Sequence, residues 1–121
     1  MSITPEEASV SSEKLCRTAP VIPVLVVDEV AHAAPLATAL VAGGLPVLEV
    51  TLRTAAALDV IREMSSVPGG IVGAGTVLTR ADAETAKAAG AQFAVSPGAT
   101  DALLDACEEL DLPLLPGAAT A

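Results

Sequence analysis

The sequence is almost devoid of aromatic side chains: of its 121 residues only Phe93 is aromatic, and Tyr and Trp are absent. Basic residues are also scarce, with six Lys and Arg against 15 Asp and Glu, for a net charge of −9. Nucleic acids are bound through basic surfaces and through bases stacked on aromatic rings, so we expect no nucleic-acid partner. The interior has to be built from Val, Leu, Ile and Ala.

Cysteines and long apolar runs are equally limited. Cys16 and Cys107 form neither a metal-binding motif nor a disulfide framework, so we expect no metal. The first residues, MSITPEEASVSSEK, are polar and acidic, unlike a secretory signal. The longest uncharged region, residues 33–48, contains two prolines and two glycines and is too short to span a bilayer as a helix. We therefore expect a cytoplasmic protein with no membrane partner.

What the sequence does contain is a repeat of short apolar runs with helical segments between them. Comparable positions recur at intervals of about 21 to 25 residues: Ile22, Val47, Val72, Phe93 and Leu114. Alternating strands and helices with short connections predict βα units, a parallel sheet and right-handed crossovers.

Four helices are predicted between the runs, over residues 30–42, 55–64, 79–90 and 100–110. Thr54 and Thr100 are predicted N-caps, and Thr79 with Asp82 reads as a variant of the capping box. Gly43 and Gly90 are predicted to end their helices. Pro35 fits only in an early turn of the first helix.

Two architectures fit this pattern: an open doubly wound sheet, or part of a (β/α)₈ barrel. The small residues in GAGT and SPG favour the barrel, because they let strands and loops approach closely. A full barrel has eight strands and at least about 200 residues. We therefore expect an α/β fold in which residues 19–121 hold strands one to five of a (β/α)₈ barrel. Residues 1–18 are expected to form an arm, with a short helix over 13–17 capped by Ser11 or Ser12.

The stretch VLEVTLRT holds the main candidates for chemistry. Read with period two, Val47, Glu49, Thr51 and Arg53 share one face of a strand. Ligands of βα folds bind at the carboxyl ends of the strands, where Thr76 and Ser96 also lie. Glu49 could transfer protons, whereas Arg53 could bind a carboxylate or phosphate. The alternative is a purely structural ion pair between Glu49 and Arg53.

Other candidates are weaker. GAGT lacks the second half of a dinucleotide-binding fingerprint. His32 and Lys87 lie on predicted helices and are expected at the surface, and Lys14 lies in the arm.

Several segments, in order, resemble the 2-keto-3-deoxy-6-phosphogluconate aldolase family, which includes 2-keto-4-hydroxyglutarate aldolase. They are VIPVLVV, ALVAGGLPVLEVTLRT, IVGAGTVL, GAQFAVSPGAT and LPLLPGAAT. The resemblance implies a (β/α)₈ class I aldolase, generally a trimer, which cleaves a phosphorylated keto-deoxy sugar acid to pyruvate and glyceraldehyde 3-phosphate. It also implies a lysine Schiff base and no metal or other cofactor.

Carried over by motif, Glu49 resembles the proton donor and acceptor of the family. Arg53 and Thr76 resemble the residues that hold the acidic end of the substrate, and Pro97 resembles a proline that lines the pocket. The Schiff-base lysine of the family lies in an FKFFP-like segment on strand six, which has no counterpart here. Neither Lys14 nor Lys87 matches it. We therefore expect this polypeptide to be inactive by itself.

Two alternatives to an aldolase remain open from the sequence. One is a non-catalytic partial barrel that associates with itself or with a complementary fragment, because an incomplete parallel sheet leaves two edges uncovered. The other is a phosphosugar isomerase or epimerase that uses Glu49 as a base, which would also require a phosphate site.

Overall fold

The structure is a computed structural model that describes residues 2–120. In chain order its helices and strands are α1 (Pro5–Thr18), β1 (Val24–Leu25), a 3₁₀ turn (Val30–His32), α2 (Ala33–Ala42), β2 (Val47–Thr51), α3 (Ala57–Ser65), β3 (Ile71–Gly75), α4 (Arg80–Ala89), β4 (Phe93–Ser96), α5 (Asp101–Glu109) and β5 (Leu114–Pro116).

The five strands form one parallel sheet in the order β1-β2-β3-β4-β5. Each strand lies beside the next strand along the chain. An open doubly wound sheet instead reverses its strand order at a switch point. The sequential order is that of consecutive units in a (β/α)₈ barrel, the one of the two architectures that the small residues in GAGT and SPG favoured.

The two faces of the sheet belong to two separate apolar clusters. On the outer face, Leu48, Val50 and Val72 pack against α3 and the other sheet-covering helices. On the inner face, Val47 and Phe93 pack with residues of α1. Alternation along β2 therefore gives the two predicted faces, and both are covered.

Helix α1 differs from the predicted short helix over residues 13–17. It starts at Pro5, and Thr4 caps it through a reciprocal capping box with Glu7. Thr-Pro-Glu-Glu is the stronger start signal, because it combines an N-cap, a proline at the first helical position and a glutamate at the third. Ser12 does not cap the helix; its hydroxyl donates to the carbonyl of Leu114 at 3.2 Å.

The helix ends that depend on local signals lie where the sequence predicted them. Thr79 and Asp82 form the capping box of α4, and Gly90 ends that helix with φ of 111°. Thr100 caps α5 by accepting a hydrogen bond from the backbone of Leu103. Pro35 lies in the first turn of α2, which begins at Ala33 after the 3₁₀ turn.

Thr54 is not the predicted N-cap of α3. The helix begins at Ala57, after Ala56, and no side chain caps it. The hydroxyl of Thr54 instead donates to the carbonyl of Val27 at 3.1 Å. None of the helices in residues 2–120 combines the length and the hydropathy needed to cross a membrane.

Candidate active site

Glu49 lies in the middle of β2 on the inner face of the sheet, with only 8% of its surface exposed. Its neighbours in register are Val24 on β1 and Gly73 on β3. The side chain leans toward the carboxyl end of β3. A Cβ atom at Gly75 would lie 2.1 Å from Oε1 of Glu49 and 2.9 Å from Cδ. The carboxyl group therefore occupies space that a side chain at position 75 would fill.

The electrostatic setting of Glu49 contains two opposing effects. Burial raises the pKa of the Glu49 carboxyl above its ordinary value, because the charged form loses hydration. The positive charge of Arg53 acts in the opposite direction and is the smaller effect. A carboxyl group with a raised pKa is suited to both donating and accepting a proton.

Arg53 lies in the turn after β2 and is exposed. Among the residues that the structure describes, its guanidinium is within 4.0 Å of no carboxylate, Glu49 included. A closed ion pair between Arg53 and Glu49, the purely structural alternative, is thus not formed. The guanidinium lies close enough to influence Glu49 and remains available to another anion.

Thr76 follows Gly75 directly and has φ of 61°, in the left-handed region. A β-branched residue rarely adopts this conformation, which costs on the order of 1–3 kcal/mol. The backbone beside it is held, because the amide of Leu52 donates to the carbonyl of Gly75 at 2.9 Å. Backbone strain of this kind accumulates at functional sites, and it marks Thr76 independently of any sequence motif.

Pro97 lies at the carboxyl end of β4 and is exposed, whereas Ser96 is buried. The hydroxyl of Ser96 donates to the carbonyl of Gly98 at 2.7 Å, which fixes the turn that presents Pro97. The amide of Gly117, the residue after β5, donates to the carbonyl of Ser96 at 2.8 Å and supports the same turn. Ser96, which the sequence placed among the ligand-binding ends of the strands, therefore has its hydroxyl engaged within its own loop.

The structure thus brings Glu49, Arg53 and Thr76 together at the junction of β2 and β3. Pro97 lies at the same edge, one strand further along the sheet.

Two features of this region were not predicted from the sequence: the contact of Glu49 with Gly75 and the role of Thr51. The buried Thr51 donates its hydroxyl to the carbonyl of Leu25 at 3.2 Å and joins β2 to β1. The only sequence signal for the contact with Glu49 was Gly75 itself, the second glycine of GAGT.

Neither lysine of the described chain lies at this edge. Lys87 is on the outer helix α4, where its Nζ donates to the carbonyl of Asp111 at 2.8 Å. Lys14 is on α1, next to Leu15, which packs against the start of β2. No group of three His, Cys, Asp or Glu residues in positions 2–120 could hold a metal ion.

Comparison with known proteins shows which protein family this chain is similar to. The family model of KDPG and KHG aldolase matches residues 12–121. The chain is 54% identical over 111 residues to the KHG/KDPG aldolase of Escherichia coli K12, covering 91% of this chain and 52% of that protein.

Two solved structures are similar to this one. The 2-keto-3-deoxy-6-phosphogluconate aldolase of Zymomonas mobilis ZM4 with 3-phosphoglycerate superposes with a TM-score of 0.87 at 52% identity, over 90% of this chain and 52% of that chain. The KDPG aldolase of Legionella pneumophila, with pyruvate captured as a covalent carbinolamine, gives 0.82 at 47% identity, over 88% and 52%.

The chain spans about half the length of the relatives that it matches. Over that span its five parallel strands, which alternate with helices, have the fold of the (β/α)₈ barrels to which these aldolases belong. The arrangement of β2, β3 and β4 and the extent of the match lead to one assignment: the chain belongs to the KDPG and KHG aldolase family.

Proposed function

We propose that this chain carries the acid–base and anion-binding part of a class I aldolase site. The substrate would be a keto-deoxy sugar acid phosphate, cleaved to pyruvate and an aldehyde. The observation that carries the proposal is the buried carboxyl group of Glu49, directed along the inner face toward the end of β3, with a raised pKa. Family membership favours this chemistry over an isomerase or epimerase.

Glu49 is the proposed proton donor and acceptor. In a Schiff-base aldolase an amine adds to the keto carbon to give a carbinolamine, which loses water to form an iminium ion. The departing hydroxyl needs a proton, and cleavage of the carbon–carbon bond requires removal of a proton from the substrate hydroxyl. A single carboxyl group can perform both transfers when its pKa is close to the working pH. The raised pKa of Glu49 supports this assignment.

Arg53, Thr76 and Pro97 are proposed to bind the substrate. The guanidinium of Arg53 can pair with the carboxylate of a keto acid through two parallel hydrogen bonds. Thr76 can donate its hydroxyl to the same anion, and its backbone lies in the left-handed region, with φ of 61°. Pro97 provides a rigid apolar surface at the carboxyl end of β4. Their positions around the carboxyl ends of β2, β3 and β4 support these roles.

The 121-residue chain is proposed to form no Schiff base by itself. Lys87 lies on an outer helix and Lys14 on α1, which packs against the opposite end of the sheet. Without an amine at the keto carbon there is no electron sink, and Glu49 cannot replace it. Loss of a covalent catalyst typically lowers the rate by several orders of magnitude.

Borohydride trapping with pyruvate, read by mass spectrometry, tests this proposal. We expect no reduced adduct on the 121-residue chain. A longer polypeptide that joins it to the second half of a relative, such as the Escherichia coli KHG/KDPG aldolase, is expected to trap pyruvate and cleave substrate. In that polypeptide Glu49→Gln should lower kcat by 10²-fold or more, on the order expected for a general acid–base. An adduct on the short chain overturns its predicted inactivity. A folded longer polypeptide that cannot be trapped contradicts the aldolase proposal.

A second candidate function is association with another copy of this chain. Val24, on edge strand β1, is 60% exposed, and Val26, the first residue after that strand, is 53% exposed. Within residues 2–120, β1 pairs only with β2. Exposed valines on an unpaired parallel edge favour pairing with a second edge. We therefore propose that the chain forms a homo-oligomer in solution.

A further inference from the structure

Strand β3 contributes no side chain to the inner face at two successive inward positions, Gly73 and Gly75. Neighbouring strands fill both spaces. Ring atoms of Phe93, on β4, lie 2.5 Å from where a Cβ of Gly73 would be. From the other side, Oε1 of Glu49 on β2 lies 2.1 Å from where a Cβ of Gly75 would be. The inner surface of β3 is therefore shared between an aromatic ring and a carboxyl group.

Backbone conformation does not explain the glycine at position 75. The described glycines with positive φ are Gly44, Gly69 and Gly90, whereas Gly75 lies in a regular strand. A glycine inside a strand is unfavourable relative to alanine, because it loses more conformational entropy on folding. The three atoms nearest to the missing Cβ are all in the side chain of Glu49. The space, rather than the backbone, accounts for the glycine.

We propose that Gly75 is a positioning residue for Glu49. Because position 75 has no side chain, the carboxyl group can lie against β3 at Gly75, where Glu49 is only 8% exposed. This inference rests on the proposed role of Glu49 in proton transfer, and it adds a residue that does not itself touch the substrate. An alanine at position 75 would force the carboxyl group to rotate away from β3.

The consequence of that rotation can be measured. The backbone of Glu49 is fixed by its pairing with Val24 and Gly73, so only the side chain can move. Leaving β3 brings the carboxyl group closer to water at the carboxyl end of the sheet, where Arg53 is the charged group that acts on it. Both effects favour the charged form and lower the pKa of Glu49.

The test is a carboxyl ¹³C NMR titration of Glu49 in the 121-residue chain, with the resonance assigned from Glu49→Gln. We expect Gly75→Ala to lower the pKa of Glu49. Gly70→Ala is the matched control: it precedes β3 at the other end, and its Cβ would make ordinary contacts of 3.5 and 3.7 Å. It is expected to leave the titration unchanged. A folded Gly75→Ala chain with an unaltered Glu49 titration overturns the proposal.

If Gly75→Ala does not fold, the double variant Glu49→Ala with Gly75→Ala decides the question. Removing the Glu49 side chain removes all three atoms that obstruct a Cβ at position 75. The double variant should therefore fold, as judged by circular dichroism, and an unfolded double variant contradicts the proposal. Neither experiment needs substrate or turnover, so a failure of the aldolase proposal in the trapping experiment remains distinguishable from a failure of this one.

Discussion

The ring of Phe93 occupies the place that a side chain on Gly73 would take, with ring carbons 2.5 Å from the ideal Cβ position. Phe93 is fully buried, and it belongs with Leu15 and Val47 to the inner cluster that α1 covers. Gly73 is also the register partner of Glu49. The single aromatic residue of the chain therefore helps to fill the inner face in the same row as the candidate catalytic carboxyl group.

Phe93→Ala is expected to lower the free energy of unfolding by about 3–5 kcal/mol, because it removes a fully buried ring and leaves a cavity. Urea unfolding monitored by circular dichroism measures this. Val10→Ala, on α1 with 65% exposure, is the control and should change stability by less than about 0.5 kcal/mol. Equal effects of the two variants would show that the inner face is not a packed core.

Glu49→Gln is expected to stabilise the chain at pH 7. Burial raises the pKa of Glu49 in the folded state, so the folded chain binds a proton at this site more readily than the unfolded chain does. The stability from Glu49 is thus fully present below the unfolded pKa and is lost as pH rises through the folded pKa. The glutamine variant does not suffer this loss.

Thermal unfolding between pH 3.5 and 7.5 tests this sign. The difference in Tm between Glu49→Gln and the wild type should grow with pH and shrink toward the acidic end. Glu63→Gln, at an exposed position of α3, should show no such trend. A Glu49→Gln chain that loses stability relative to the wild type as pH rises would contradict the burial of the charge.

Arg53→Ala should raise the pKa of Glu49 further, because the guanidinium favours the charged carboxylate and opposes the effect of burial. The same NMR titration of Glu49 measures the change. Arg62→Ala is the matched control, since Arg62 is an exposed residue of α3 paired with Asp59. A titration that does not respond to Arg53→Ala would remove the electrostatic link between the two proposed site residues.

The sequence predicted those features that depend on local chemistry. The ends of α4 follow from the capping box of Thr79 and Asp82 and from Gly90 at the C-terminus. The hydrogen bonds at both ends join residues less than two helical turns apart in sequence. Thr54 has the same side chain as Thr79, yet its hydroxyl bonds to Val27, which is distant in sequence. Locally, Thr79 is supported by Asp82 three residues on, whereas Thr54 has Ala57 at the same spacing and cannot form a capping box. The bond from Thr54 to Val27 depends on the position of the chain that follows β1, which the sequence around Thr54 does not show.

The candidate site also contains some features that the local sequence predicts and others that depend on how the strands pair. Period-two alternation predicted that Glu49 lies on the face opposite Leu48, and the two residues do belong to opposite faces. The positive φ of Thr76 and the fit of Glu49 over Gly75 depend on the register between β2 and β3, which the sequence does not encode locally. The substrate-binding roles of Arg53, Thr76 and Pro97 stay predictions.

Thr79→Ala is expected to destabilise the chain by about 1 kcal/mol, because the backbone amide of Asp82 loses its hydrogen bond at the N-terminus of α4. Thr85→Ala is the control within the same helix; its exposed hydroxyl bonds only to backbone carbonyls of the preceding turn. Denaturant unfolding should give a smaller loss, or a gain, for Thr85→Ala. The reverse order would show that the capping box does not stabilise α4.

Val24→Lys is expected to weaken self-association. Sedimentation velocity at low micromolar concentration should show the wild-type chain as a dimer or larger species, because the exposed valines of β1 lie on an unpaired edge. A lysine at position 24 places a charge on that edge and should shift the chain toward monomer. Val10→Lys changes an equally exposed valine on α1 and should leave the distribution unaltered. A wild-type monomer that melts cooperatively would refute self-association, because the open edge of β1 would then be stable in water.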